Sequence, residues 1–220
     1  MRTSINKAMR IFVVAALLIG VMSPNVFAAD YFPLKAGNVW VYYPSYGKGY
    51  RVDSVVGTEM VGETLTYIWK RLEAPPDNYH ERRWLAKEGG DLKAFQIWGN
   101  EMEPPLDAPV LLDPPGLLGN IDHPKVGDSW QIEMNNGTTH YRASFLVESI
   151  TDTVTVPAGI FRNCIKVRQL DETTVSSVTK YEYRRYWLAP EIGPIRYTKY
   201  SNNWKIIKKP DQKLVAYSLE

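Results

Sequence analysis

Apolar and polar residues alternate along most of the chain after residue 28. In YEYRRYW, one face of a predicted strand carries four residues, Tyr181, Tyr183, Arg185 and Trp187. In FRNCIKV, the same alternation places Phe161, Ile165 and Val167 opposite Cys164. Because no long segment beyond residue 28 repeats its apolar residues with helical spacing, we predict an all-β fold. The expected architecture is an antiparallel sandwich or partly open barrel of roughly ten or more short strands.

Turn residues separate these strand-like runs. Gly89-Gly90 and Asn136-Gly137 stand between alternating stretches and favour two-residue hairpins. Pro157 and Gly159 predict a three-residue connection, in which Pro157 fixes φ at the first turn position and Gly159 adopts a left-handed conformation.

A short motif, Lys-x-Gly-(Asn/Asp)-x-Trp, occurs twice and each time precedes a predicted strand. The copies are 35–40 and 125–130, with Gly37 and Trp40 in the first and Gly127 and Trp130 in the second. A phosphate-binding loop needs several glycines that lead into a helix, so this motif does not predict a nucleotide site. We interpret it as a strand start whose tryptophan is a buried anchor, repeated in two similar β-meanders.

The pattern also divides the chain. Residues 1–28 have three basic residues, an apolar run and small residues at Val26 and Ala28, which predict a signal peptide cleaved near Ala28. After the leader we predict a first β-meander over residues 29–100 and a proline-rich apolar crossover over 101–124. A second β-meander, in one compact domain with the first, covers residues 125–220. The crossover could pack on the core or close over a cavity as a lid.

Charge changes the picture once the leader is removed. The whole chain has a formal charge of +2, and the first 28 residues hold three basic residues and no acid, so the mature chain carries about −1. Without a basic excess we expect no nucleic-acid partner. Strand faces such as CIKVRQ carry charge, which argues against a membrane-spanning strand. We therefore expect a periplasmic or secreted protein with no transmembrane anchor after cleavage. No cysteine lies near the cleavage site, which argues against a lipid-anchored start.

Four stretches carry a resemblance to a known group. They are YFPLKAGNVWVYY, PKVGDSW, VPAGIFRNCIKV and YWLAPEIGPIRY. Together they resemble a loosely defined group of bacterial exported β-rich proteins of unknown function, which show a Pro-Leu-x-x-Gly-x-x-Trp opening, a Pro-Ala-Gly-x-Phe hairpin and an Ala-Pro-x-x-Gly turn. The resemblance implies bacterial export and β architecture, and it brings no catalytic residues to transfer.

Motifs for catalysis or metal binding are weak. The histidines, His80, His123 and His140, lack the spacing of zinc ligands, and we predict no metal and no cofactor. Cys164 has no nucleophile signature around it. Acids crowd the crossover without the regular spacing of a calcium loop, namely Glu101, Glu103, Asp107, Asp113 and Asp122.

Aromatic residues suggest binding instead. Seven tryptophans and fourteen tyrosines exceed what a core of this size needs. We predict a non-catalytic ligand-binding or protein-docking module for a small apolar ligand, a glycan or a protein partner, with candidate residues Trp98, Tyr183, Arg185 and Trp187. The alternative is a carboxylate-based hydrolase, for example one acting on a glycan, with its site near residues 101–124 and Trp98.

Overall fold

The structure is a computed structural model that describes residues 29–44, 49–73, 80–99, 108–135, 139–200 and 206–220. These residues form twelve β-strands in one antiparallel sheet, which confirms the predicted all-β class. The strands are Val39–Tyr43 (β1), Arg51–Val61 (β2), Thr64–Glu73 (β3), His80–Glu88 (β4), Asp91–Gly99 (β5), Val110–Asn120 (β6), Ser129–Asn135 (β7), Thr139–Val156 (β8), Gly159–Val175 (β9), Val178–Ala189 (β10), Gly193–Tyr200 (β11) and Ile206–Ser218 (β12). The predicted leader and the Asn136-Gly137 turn lie outside the described residues.

The strand order shows two consecutive meanders. Strands β1 to β6 follow one another across one half of the sheet, and β7 to β12 follow one another across the other half. The first and last strands, β1 and β12, pair with each other and join the halves, while β6 and β7 are left at the two edges. The sheet therefore curls into a nearly closed barrel, the partly open barrel of the two architectures predicted.

The edges β6 and β7 meet through side chains. A Cβ atom at Gly119 would lie 2.9 Å from Cζ2 of Trp130, and one at Gly116 would lie 3.4 Å from Cγ2 of Ile132. No backbone ladder joins the two strands in the described part of the chain. Pro114 and its neighbour Pro115 have no N–H to donate, which keeps β6 at an edge.

The segment 101–124 differs from its predicted form. Sequence reasoning assigned it to a crossover because its prolines exclude a central strand, but residues 110–120 form the edge strand β6. An edge strand tolerates proline because one side of its backbone needs no partner. Residues 101–107 lie outside the described residues, and the proposed domain boundaries stay a prediction.

The predicted turns follow the chemistry of their residues where the structure describes them. Gly89 and Gly90 have φ angles of +60° and +89° and connect β4 to β5 as a two-residue hairpin, as predicted. The Pro157 connection is shorter than predicted, because Val156 pairs directly with Gly159. Gly159 has a φ angle of +146°, so the requirement for glycine remains.

An apolar core fills the half of the barrel that contains the repeated motif. Its largest buried side chains include Trp40, Trp69, Leu85, Ile165 and Leu214. Burial of such side chains stabilises the fold by about 1.5–3 kcal/mol each.

Cys164 lies in this core, contrary to the predicted alternation. Both Cys164 and Ile165 are buried, because Asn163 has a φ angle of +55° and shifts the phase of β9. The strand irregularity interrupts the period-two pattern on which the prediction rested.

Charged side chains occupy the other half of the interior, near the strand ends opposite the Gly62 and Gly89-Gly90 turns. Arg51 and Arg71 both contact Asp53, and Arg71 also donates a 3.0 Å hydrogen bond to Glu81. Buried ion pairs of this kind are costly to break, because removal of one partner leaves an uncompensated charge.

The opposite wall of the interior carries a matching set. Arg184 contacts Asp171 at 2.9 Å, and Tyr141 donates to the same carboxylate at 2.7 Å. Burial raises the pKa of Tyr186 to about 12, and Arg184 and Arg71 act against this rise. Since Arg71 is on β3 and Tyr186 is on β10, the two walls face each other across a polar interior.

Candidate functional site

A cavity of about 520 Å³ lies on the outer face of the second meander. Its lining residues come from the neighbouring strands β7, β8, β9 and β10. They are Ser129, Trp130, Gln131, Ser144, Phe145, Leu146, Arg168, Leu170 and Tyr183.

Strand register brings most of these side chains together. One row across the sheet is Ser129, Leu146 and Arg168. The next row on the same face is Gln131, Ser144, Leu170 and Tyr183. Because residues two apart share a face of a strand, the two rows form one surface. The site therefore depends on pairing among four strands.

Two aromatic rings support the cavity from the other face of the sheet. Trp130 stacks on Phe145, with ring centroids 5.1 Å apart and an interplanar angle of 6°. The indole Nε1 of Trp130 is buried without a hydrogen-bond partner in the described structure. The Trp130 ring also contacts Gly119 of β6. It is therefore part of both the cavity floor and the side-chain contact between the edge strands β6 and β7, which we call the seam.

A carboxylate with three basic neighbours borders the cavity. Arg185 binds both oxygens of Glu148, at 2.7 and 2.9 Å, while Lys166 lies 3.6 Å and Arg168 4.0 Å from the same carboxylate. Burial alone would raise the pKa of Glu148, but the hydrogen bonds from Arg185 and the nearby positive charges lower it overall. Glu148 is therefore ionised at neutral pH and holds the basic residues in place.

Three of the four predicted site residues lie on one face of β10, as the alternation indicated. Tyr183 lines the cavity, and Arg185 lies beside it in the ion pair with Glu148. Trp187 is buried and donates a 3.0 Å hydrogen bond from its indole to Asp152. Trp187 thus supports the sheet, whereas Tyr183 is exposed to the cavity.

The fourth, Trp98, belongs to a different surface. It lies on β5 of the first meander, packs against a small buried cluster that includes Trp84 and Phe95, and has Arg82 5.6 Å from its ring centroid. The cluster contains no residue of β10, so the structure separates Trp98 from the other three candidates.

Sequence reasoning missed several lining residues. Ser144, Leu170 and Arg168 were not singled out, and Trp130 was assigned a structural role alone. Alternation could have placed Arg168 and Leu170 on one face of a strand. It could not have identified Gln131 and Tyr183 as members of the same row, because that requires the register of three strand pairs.

Other candidate chemistry is dispersed. His140 contacts Glu133 at 2.6 Å, His123 is exposed, and within the described ranges no three His, Cys, Asp or Glu side chains are placed to hold a metal. Burial, with a contribution from Asp152, raises the pKa of Cys164 to about 11, so the thiol is protonated at neutral pH. None of the described residues forms a helix that could span a membrane.

Of the five acids named for the alternative hydrolase site, two lie in the described part of the chain. Glu101, Glu103 and Asp107 lie outside the described residues, while Asp113 is exposed on β6. The Cβ of Asp122 lies 3.5 Å from the position that a Cβ would occupy on Gly90.

Comparisons with known proteins identify the fold. The chain matches no family model and no curated protein sequence. It is similar to a crystal structure of a "putative lipoprotein" from Parabacteroides distasonis, with 16% identity, a TM-score of 0.53 and coverage of 87% of this chain and 99% of the other. It is also similar to a "putative exported protein with YmcC-like fold" from Bacteroides fragilis, with 18% identity, a TM-score of 0.50 and coverage of 87% and 100%. At these identities the likeness shows the fold alone.

Proposed function

We propose that this protein is an exported, non-catalytic binding module whose ligand occupies the cavity on β7 to β10. Export is supported by the predicted leader and by the two structural neighbours, which are described as a lipoprotein and an exported protein. The observation that carries the proposal is the grouping of an aromatic ring, apolar side chains and hydrogen-bonding groups around one outer-face cavity.

The composition of the lining supports a saccharide as the proposed class of ligand. Leu146, Leu170 and the ring of Tyr183 offer apolar surface, on which the C–H face of a sugar ring can pack. Ser129 and Gln131 are both exposed and offer a hydroxyl and an amide for hydrogen bonds to sugar hydroxyls. A lipid chain would instead require an enclosed and mainly apolar cavity.

The experiment measures saccharide affinity by calorimetry, with matched tyrosine variants. The probes are oligomers of glucose, mannose and N-acetylglucosamine, together with oligomers of galacturonic and mannuronic acid. Tyr183→Ala should weaken the binding of any recognised saccharide by about tenfold or more, because it removes the aromatic surface. Tyr181→Ala is the control, since Tyr181 is 54% exposed on the same strand face and does not line the cavity.

Two results would overturn the proposed function. One is the absence of binding to every oligomer in the set by the wild-type protein. The other is an equal loss of affinity in the Tyr181 and Tyr183 variants, which would place the binding surface outside the cavity.

A further inference from the structure

We infer that the ligand of this cavity is an acidic saccharide whose carboxylate is recognised by Arg168. This inference rests on the proposed function and specifies its ligand. Among the described residues that line the cavity, Arg168 is the single charged one, and 40% of its side-chain surface is exposed. A carboxylate is a sugar substituent that a guanidinium can bind with two parallel hydrogen bonds.

The charges around Arg168 favour an anion. Lys166, Arg168 and Arg185 all lie within 4.0 Å of the same carboxylate, that of Glu148. These four groups have a combined charge of +2, and Glu148 is held chiefly by its two short bonds to Arg185. A bound carboxylate next to Arg168 would reduce the mutual repulsion of three neighbouring cations.

Of these three cations, Arg168 alone lines the cavity. Lys166 lies 5.9 Å from the ring centroid of Trp187, and the guanidinium carbon of Arg185 lies 4.7 Å from the ring centroid of Tyr200. Lys166 is thus directed towards β10 and Arg185 towards β11, while Arg168, the register partner of Arg185, continues the row of Leu146 and Ser129 along the cavity. An acid group on a sugar that packs on Tyr183 would face Arg168.

The other residues of the cavity lining favour a sugar as the carrier of the carboxylate. Gln131 and Ser144 are linked by a 3.2 Å hydrogen bond and present further polar atoms to the cavity. An inorganic anion would use Arg168 without the aromatic ring of Tyr183. A fatty acid chain would cover polar atoms of Ser129, Gln131 and Ser144 without offering them hydrogen bonds.

The test compares acidic with neutral oligomers on three proteins. In the wild type, oligogalacturonate or oligomannuronate should bind about tenfold or more tightly than the neutral oligomers. Arg168→Gln should remove that preference, whereas Arg168→Lys should keep part of it because a point charge remains. The preference should also weaken as salt is raised, because exposed charges are screened.

Arg162→Gln is the matched control, since Arg162 is an exposed arginine of the same strand that does not line the cavity. Unchanged unfolding midpoints would show that each variant is folded. Equal wild-type affinity for acidic and neutral oligomers would overturn the assignment of Arg168 and leave the proposed saccharide function standing. An acidic preference that survives Arg168→Gln would also overturn it, and absence of binding to all oligomers would overturn both proposals.

Discussion

The two copies of the Lys-x-Gly-(Asn/Asp)-x-Trp motif have the same backbone but different surroundings. In the first, the Gly37 N–H donates to the Val55 carbonyl at 2.9 Å, and the Val55 N–H donates to the Asn38 carbonyl at 2.9 Å. The second copy repeats both bonds with Gly127, Asp128 and Val147, at 3.0 and 2.9 Å. Gly37 and Gly127 have φ angles of +100° and +95°. The motif therefore determines how each meander begins.

Burial of the tryptophan differs between the copies. Trp40 lies on β1 between β2 and β12, is 1% exposed, and donates a 2.6 Å hydrogen bond to the Ile192 carbonyl. Trp130 lies on the edge strand β7, is half-buried, and has no partner for its indole nitrogen in the described structure. The two residues are thus not equivalent anchors, because neighbouring strands decide how far each is covered.

The largest expected effect comes from removal of each tryptophan. Trp40→Ala should lower the free energy of unfolding by about 3–5 kcal/mol, as other large buried truncations do. Trp130→Ala should cost about 1–2 kcal/mol, because less apolar area is lost at the edge. Urea denaturation of both variants measures the difference. Equal losses would show that the contact between β6 and β7 buries Trp130 as fully as β2 and β12 bury Trp40.

The seam between β6 and β7 can be tested at Gly119. Gly119→Ala should cost about 2–4 kcal/mol, because its φ angle is +145° and the added Cβ would meet Trp130 at 2.9 Å. Gly62→Ala is the control, since Gly62 has a φ angle of +61° and open space around it. It should cost about 1–2 kcal/mol from backbone conformation alone. If the two variants were equally stable, the seam would not pack as described.

A finer comparison uses phenylalanine in place of each tryptophan. Trp40→Phe removes the bond to Ile192 and should cost about 1 kcal/mol more than Trp130→Phe, which removes an unpartnered N–H. Thermal unfolding of the two variants provides the measurement. A larger loss for Trp130→Phe would mean that its indole nitrogen has a partner.

Acid should weaken the second meander through its ion pairs. Burial acts to raise the pKa of Glu148 and Glu182, but bonds to arginine and lysine lower both below the ordinary glutamate value of 4.5. A lowered folded-state pKa gives stability that is present above 4.5 and is lost as the pH falls through the folded-state value. Glu148→Gln should therefore flatten the decline in unfolding free energy below pH 4.5. An unchanged decline would show that other groups control acid unfolding.

How much the sequence predicts depends on the range of the interaction. Gly89-Gly90 and the motif glycines were predicted because their φ angles are local requirements. Strand β6 was missed because Pro114 and Pro115 exclude a central strand, yet an edge position satisfies them. Cys164 was placed on the wrong face because the positive φ angle of Asn163 has no clear sequence signal.

The candidate site was predicted in part for the same reason. Tyr183 was found because surplus aromatics and alternation on β10 are visible in the sequence. Arg168 and Gln131 could not be joined to it without the register of β7, β8, β9 and β10. Trp98 was grouped with Tyr183 on residue type, and the fold separates them.

The central claim is that the second meander carries the binding site on its outer face. Backbone amide NMR of the isotope-labelled protein, titrated with oligogalacturonate, tests it most directly. We expect the largest chemical-shift changes at Gln131, Ser144, Arg168, Leu170 and Tyr183. The first copy of the motif, around Gly37 and Trp40, should change little. Changes centred on Trp98 or the β1–β12 pair, or no changes at saturating oligomer, would contradict the account.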